Sequence, residues 1–409
     1  METRLDHPEM LGGFEQAPPR HVRGWTQLCV GLWLLLVAGD WTARLVIFRW
    51  QDQWLPSTAT ESASGVVQPR VVPAQTGAGL TQMVPVPWIA ARHAEFHAER
   101  TELRDEWGYF NDPPPNTGGY SVLMLGDSFM VSLGTQNIAQ VLASVGNISV
   151  YNHARRGSGP FLEMRRFIDS DRFWPLPKVV VWNLTARELG APLFLRQGVE
   201  GWFTHSMKLD SDFAEARPRI LWDHLAPSAL RKSWPDTSMV AYIGRRAWAQ
   251  AQLLVFREWP RDVLGADDPQ FGPMLFYREN LRVLPTLAPE TDAPAVVKTV
   301  ARISKGFHER GETLVVLLVP EKEQVHIQAL PPANQEALAR GPELLAAIES
   351  GLNAEGIPVV NLLPPFQKAT AEGQRLYWRD DTHWNDAGIR LAAEELWRVV
   401  EPLLEGNRE

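Results

Sequence analysis

The sequence predicts an α/β fold: a three-layer sandwich around a central parallel sheet, with a largely helical insertion and one N-terminal transmembrane helix. Three observations carry this. Five short apolar runs, at 121–125, 147–152, 178–183, 313–319 and 357–362, alternate with helix-like text. Runs that are apolar throughout, rather than at every second residue, suit strands buried on both faces. The alternation stops between 191 and 293 and then resumes, which marks an insertion. A third signal is the uncharged stretch GWTQLCVGLWLLLVAG at 24–39.

From the N-terminus, residues 1–23 carry mixed charge and Pro18-Pro19 and read as a cytoplasmic tail. The apolar stretch falls short of the ~20 residues that span a bilayer. Extending it to 24–48 supplies the length and admits Asp40 and Arg44, which pair at i,i+4 on a helix. This reads as a membrane anchor. A cleaved signal peptide ending near Val37-Ala38-Gly39 and a buried core helix are the competing readings. Residues 49–110 form a linker, rich in Ser, Thr, Gln, Gly and Pro, and then a leading helix over 85–107 (WIAARHAEFHAER) that Asn111-Asp112-Pro113-Pro114-Pro115 breaks. The remainder, 111–409, is one α/β domain interrupted by the insertion 191–293. Helices are expected at 297–310, 343–353 and 385–400, and at 237–259 within the Trp-rich insertion.

Composition excludes several classes. The 409 residues are 45% hydrophobic and 22% charged, with net charge −8 and pI about 5.8. That is a globular balance with no basic patch, so nucleic acid is not an expected partner. The single cysteine, Cys29, rules out an intrachain disulfide and a cysteine-ligated zinc site. His93 and His97 are the only histidines at helical i,i+4 spacing and lack a third ligand, so neither metal nor another cofactor is expected.

The chemistry lies at the two ends of the α/β text. Gly126-Asp127-Ser128-Phe129 follows the first apolar run. A serine on a strand-to-helix turn presents its hydroxyl at the carboxyl edge of a parallel sheet, where ligands bind, and the new helix offers N–H groups to a developing oxyanion. The bland reading is that Asp127 or Ser128 merely caps a helix. Gly157 and Gly159 follow the second run, which ends at Asn152; a glycine there lets a backbone N–H approach an oxyanion. Asn183 ends the third run and offers a further amide donor, or simply a turn. Arg187 and Glu188 suit an ordinary surface pair. Near the end stands Asp380-Asp381-Thr382-His383-Trp384-Asn385. His383 is the base candidate, and Asp381 and Asp380 are alternative orienters of its imidazole.

These blocks, in this order, resemble the SGNH (GDSL-like) superfamily of esterases and acyltransferases. The resemblance implies Ser128 as nucleophile, His383 as base with Asp381 beside it, and Gly157 and Asn183 as oxyanion donors. Trp182 stands where that family has glycine before its asparagine. A narrower likeness is to the alginate O-acetyltransferase group of SGNH-like periplasmic proteins, through Val319-Pro320-Glu321-Lys322, Asp381-Thr382-His383-Trp384 and the stretch from Val181 to Glu188. Arg187 and Trp384 become substrate-binding candidates on that footing. In that group the Asp-Thr-His-Trp motif usually precedes the serine motif; here the serine comes first.

The resemblance implies a membrane-anchored periplasmic O-acetyltransferase of the bacterial inner membrane. It would move acetyl through an acyl-serine onto an exported polysaccharide, with a multipass membrane acyltransferase as donor partner. An esterase acting on acylated glycans or lipids is the first alternative. A non-catalytic glycan-binding assembly subunit is the second.

Overall fold

A computed structural model describes residues 70–405, without 103, 106, 112–118, 132–133, 171–172, 174, 191–243 and 245–246, together with five helical residues between Leu28 and Ala38. The chain divides into two compact units, 1–62 with 226–247, and 63–225 with 248–409. The second holds the sheet and is the subject below.

Five strands build the sheet: β1 Val122–Gly126, β2 Val150–Ala154, β3 Val179–Thr185, β4 Thr313–Val319 and β5 Val359–Asn361. Their order is β5-β4-β3-β1-β2, and every pairing is parallel. Each falls on one of the five apolar runs. The second starts later than expected because Asn147, in the left-handed region at φ 50°, ends the helix Ile138–Gly146 first. All seven residues of β3 are buried, as a central parallel strand requires.

Strand order places the helices. The step from β1 to β2 runs one way along the sheet, and every later step runs the other way. Right-handed crossovers therefore put Ile138–Gly146 on one face and Gly159–Ile168, Pro289–Glu309 and Gly341–Ala354 on the opposite face. The last helix, Asp386–Glu405, packs with Ile138–Gly146. Two helical layers thus enclose the sheet. The direction reverses between β1 and β3, and a crevice opens at their carboxyl ends.

Two expected helices differ. The leading helix spans only Pro87–His93; Phe96–His97 then pairs with Gln75–Thr76, and Arg100–Glu102 with Arg70–Val72. The cause is long-range: the Asp380 carboxylate takes the Glu95 N–H and the His97 ring, and these bonds override local helix propensity. In the insertion, residues 247–251 are helical and run into a π-turn, Gln252–Phe256, which Arg257 ends at φ 59°. Val263–Asp268 and Gly272–Tyr277 then form an antiparallel hairpin within the insertion expected to be largely helical. Of the expected insertion 191–293, residues 191–243, with Trp202, Trp222 and Trp234, lie outside the described residues, as do 245–246. So does nearly all of the anchor segment 24–48, and among the described residues no helix is long and apolar enough to cross a membrane.

Candidate active site

The site sits at the β1/β3 crevice. Gly126 ends β1, and a Cβ there would lie 2.7 Å from Met130 Cγ and 3.0 Å from Asn183 Cβ, so only glycine lets β1 turn so close to β3. The Asp127 carboxylate accepts the Phe129 N–H at 3.0 Å and caps the short helix Ser128–Val131. Asp127 thus makes the turn, and Ser128 stands half-buried at its tip.

His383 arrives from the other end of the chain. Its Nε2 lies 2.8 Å from Ser128 Oγ, and its Nδ1 lies 2.5 Å from Asp381 Oδ1. The same Oδ1 accepts the His383 backbone N–H at 3.0 Å, which locks the imidazole to the carboxylate through two bonds. The His383 side chain is 19% exposed and that of Asp381 5%, so the imidazole reaches solvent and the carboxylate beside it does not. Burial pushes the Asp381 carboxyl up, but the charge of His383 and its hydrogen bonds outweigh this and hold it below the usual aspartate range.

The loop carrying Asp381 and His383 is pinned on several sides. Tyr377 and Trp384 bridge across its base. The Trp384 indole is fully buried, lies 5.4 Å edge-on from Phe129, and donates Nε1–H to the Phe129 carbonyl at 3.0 Å. It thus joins the loop that carries His383 to the helix that carries Ser128; buried in this way, it has no face for substrate. Thr135 adds a second tie by donating its N–H (2.7 Å) and its hydroxyl (3.1 Å) to Asp386. Beneath the loop the Lys322 ammonium, wholly buried, donates to the carbonyls of Leu275, Trp378, Arg379 and Asp381 at 2.6–3.1 Å. Burial pulls its pKa down to about 8 against the pull of Glu323, Asp381 and Asp380.

Asp380 is not an orienter of the base. Its Oδ2 accepts the Ala78 and Glu95 N–H groups at 3.0 and 2.8 Å, and its Oδ1 bonds His97 Nε2 at 2.9 Å. Asp380 lies in a turn and Asp381 in the bend that follows, and only the Asp381 carboxylate meets the imidazole. His97 and His93 do not act as a pair either: His93 Nδ1 bonds the Ile89 carbonyl and its ring packs edge-on to Trp259.

The oxyanion candidates differ in placement. Gly157 is exposed and left-handed at φ 73°, with its turn tied to the Gly126 carbonyl by the Arg155 N–H (3.3 Å) and the Ser158 hydroxyl (3.1 Å). The Asn183 amide is buried and donates to Asp127 Oδ1 at 3.4 Å, so it supports the turn from below. Arg187 is likewise committed: its guanidinium meets Glu321 at 3.3 Å and Asp127 at 3.9 Å, and Glu321 above all holds it charged. Burial and the neighbouring Asp127 raise Glu188 to about 8, and burial raises Glu321 to about 7. Sequence reasoning missed this acidic pocket, the Lys322 cage and the His97–Asp380 pair. Only the Val-Pro-x-Lys likeness hinted at the second of them.

Comparisons with known proteins agree with the motifs. Residues 274–408 match the family described as "SGNH hydrolase-like domain, acetyltransferase AlgX". That span holds Lys322, Asp381 and His383 but not Ser128. The chain is 26% identical over 215 residues to the "Probable alginate O-acetylase AlgJ" of Pseudomonas syringae pv. tomato, covering 50% of each chain. It is 24% identical over 218 residues to the protein of the same description from Pseudomonas putida, covering 53% of each. The chain thus spans about half the length of the curated relatives it matches. Among solved structures, the acetyl xylan esterase AlAXEase is 12% identical with a TM-score of 0.33, over 68% of this chain and 98% of that one. At that score the likeness carries no weight of its own. The chain is similar to SGNH hydrolase-like acetyltransferases, and within them to the alginate O-acetylases.

Proposed function

We propose that the protein is a serine-dependent O-acetyltransferase acting on hydroxyls of an exported polysaccharide. One observation carries the reading: the hydrogen-bonded chain from Ser128 Oγ through His383 to Asp381. His383 Nε2 takes the serine proton as Oγ attacks the acyl carbonyl of the donor. The resulting oxyanion lies at the start of the helix Ser128–Val131, within reach of the Ser128 and Gly157 backbone N–H groups. Collapse expels the donor's leaving group, which collects the proton from His383 and leaves acetyl on Ser128. A sugar hydroxyl then gives its proton to His383 and attacks the acetyl-serine, which releases the acetylated sugar and restores the serine. Asp381 keeps Nδ1 protonated, and Nε2 is thereby free to act as base.

The likeness to the alginate O-acetylases supports this substrate class. The segment 24–48 serves as a single-pass anchor in the inner membrane, with the catalytic unit in the periplasm. Because the acyl group must then be supplied on that side, a multipass membrane acyltransferase is the donor partner. Incubation with an activated acetyl ester should place an acetyl group on Ser128, seen by mass spectrometry of the peptide. Ser128→Ala should abolish both the adduct and the transfer; full transfer by that variant would end the proposal.

Hydrolysis is the second reading. It is favoured by the partial exposure of Ser128 and His383, which leaves the pair open to water. Acetate release compared with transfer to added oligosaccharide separates the two. The intact relay argues against the silent binding subunit.

A further inference from the structure

The segment ahead of the sheet touches the relay. Gly79 opens a 3-10 turn, Gly79–Met83, and a Cβ built on it would lie 1.9 Å from Asp381 Oδ2 and 2.9 Å from Asp381 Cγ. The other oxygen of that carboxylate, Oδ1, carries both bonds to His383. One oxygen therefore orients the base while the other rests against a bare α-carbon.

The turn cannot drift from the aspartate. The Ala78 N–H donates to Asp380 Oδ2 at 3.0 Å, and the Leu80 N–H donates to the Asp380 carbonyl at 2.9 Å. These bonds flank Gly79 on both sides. Glu95 and His97, at the far end of the same segment, hold the Asp380 carboxylate from behind. The first aspartate of the pair is a clamp, and the clamp presses Gly79 on the second.

We propose that Gly79 is a positioning residue for His383, acting through Asp381. Its missing side chain is the space in which the carboxylate takes the one rotamer that meets Nδ1. The inference rests on the reading of His383 as base. Gly79 is not in the left-handed region, so alanine fits its backbone and space at Asp381 is the sole constraint. A free carboxylate would swing away from a new methyl group at little cost. This one can do so only by giving up its bonds to the imidazole.

The test is Gly79→Ala in the full chain. The variant should fold, with KM for an activated acetyl ester unchanged and kcat down by about 100-fold, the usual scale for a catalytic group displaced by about 1 Å. The downfield proton resonance of the His383 Nδ1–H should move or vanish. In an Asp381→Gly background the methyl group meets no carboxylate, and Gly79→Ala should leave the residual turnover unchanged within about twofold. Retained turnover with an unmoved resonance would overturn the proposal, as would an equal loss in the Asp381→Gly background. Should Gly79→Ala not fold, the double variant must recover the fold; if it does not, the contact is not the cause and the proposal fails. The resonance is read on resting protein, so failure of the Ser128 chemistry is told apart from failure of the positioning role.

Discussion

Replacing Lys322 with methionine isolates what holds the base loop in shape. Methionine keeps most of the buried stem and deletes the ammonium. Four carbonyls now share its three protons, those of Leu275, Trp378, Arg379 and Asp381. The Arg379 carbonyl keeps a second donor, the Leu275 N–H at 2.8 Å, so the other three bear the loss. A buried carbonyl left without a donor costs roughly 1–3 kcal/mol, giving a gross loss of roughly 3–9 kcal/mol. Removing a buried charge also removes its desolvation cost, of several kcal/mol, which offsets part of this. The net expectation is a destabilisation of about 3–5 kcal/mol, the scale seen when one partner of a buried charged contact is deleted. For a domain of about 300 residues that lowers the melting temperature by roughly 5–8 °C. Urea unfolding at pH 7 measures the change, with the acetyl-ester assay run on the folded fraction. Turnover per folded molecule should also drop, since Asp381 loses one of its backbone anchors. A loss below about 1 kcal/mol with normal turnover would show that the ammonium is not what shapes the loop.

Two further predictions concern pH. Asp381 is depressed in the folded protein, so the stability it contributes is present above the unfolded aspartate value of about 3.9 and is lost as pH falls through the lower folded value. The melting-temperature gap between the wild type and Asp381→Asn should therefore be widest near neutrality and close toward about pH 2; a constant gap would contradict this. At pH 7 the same variant should lose about 10³–10⁴-fold in kcat, because an amide no longer favours the working tautomer. Glu188 behaves oppositely. Burial, with Asp127 next, raises it to about 8, so its proton stabilises the fold below the unfolded glutamate value and that stability is lost between about pH 4.3 and about 8. Glu188→Gln should flatten the fall in melting temperature over this window, and an unaltered pH profile would refute the assignment.

How much was legible follows from where each specification is written. The five strands were readable because central parallel strands must be apolar on both faces, and TLVVLLV or KVVVWN allows little else. Ser128 and His383 were readable because the turn and the motif are local. The choice between Asp380 and Asp381 was not: both spacings to His383 are short, and partners about 300 positions earlier, Ala78 and Glu95, decide it. The same bonds explain why 94–102 looked helical and is not. Trp384 read as a substrate platform because exposed and buried indoles look alike in sequence; its place between Phe129 and Phe366 is a matter of tertiary packing. Trp182, where the family pattern has glycine, is accommodated by packing against Phe161 and donating Nε1–H to the Pro160 carbonyl at 2.6 Å.

The separation of the relay along the chain has a consequence for synthesis. Ser128 leaves the ribosome 255 residues before the imidazole that it meets in the folded protein. A nascent or prematurely terminated chain carries an inert hydroxyl, however well its first strands have formed. In the proposed reaction, acyl chemistry thus begins only in molecules in which His383 has been made and folded against Ser128, and any cleavage that detaches the segment carrying it switches the chemistry off again.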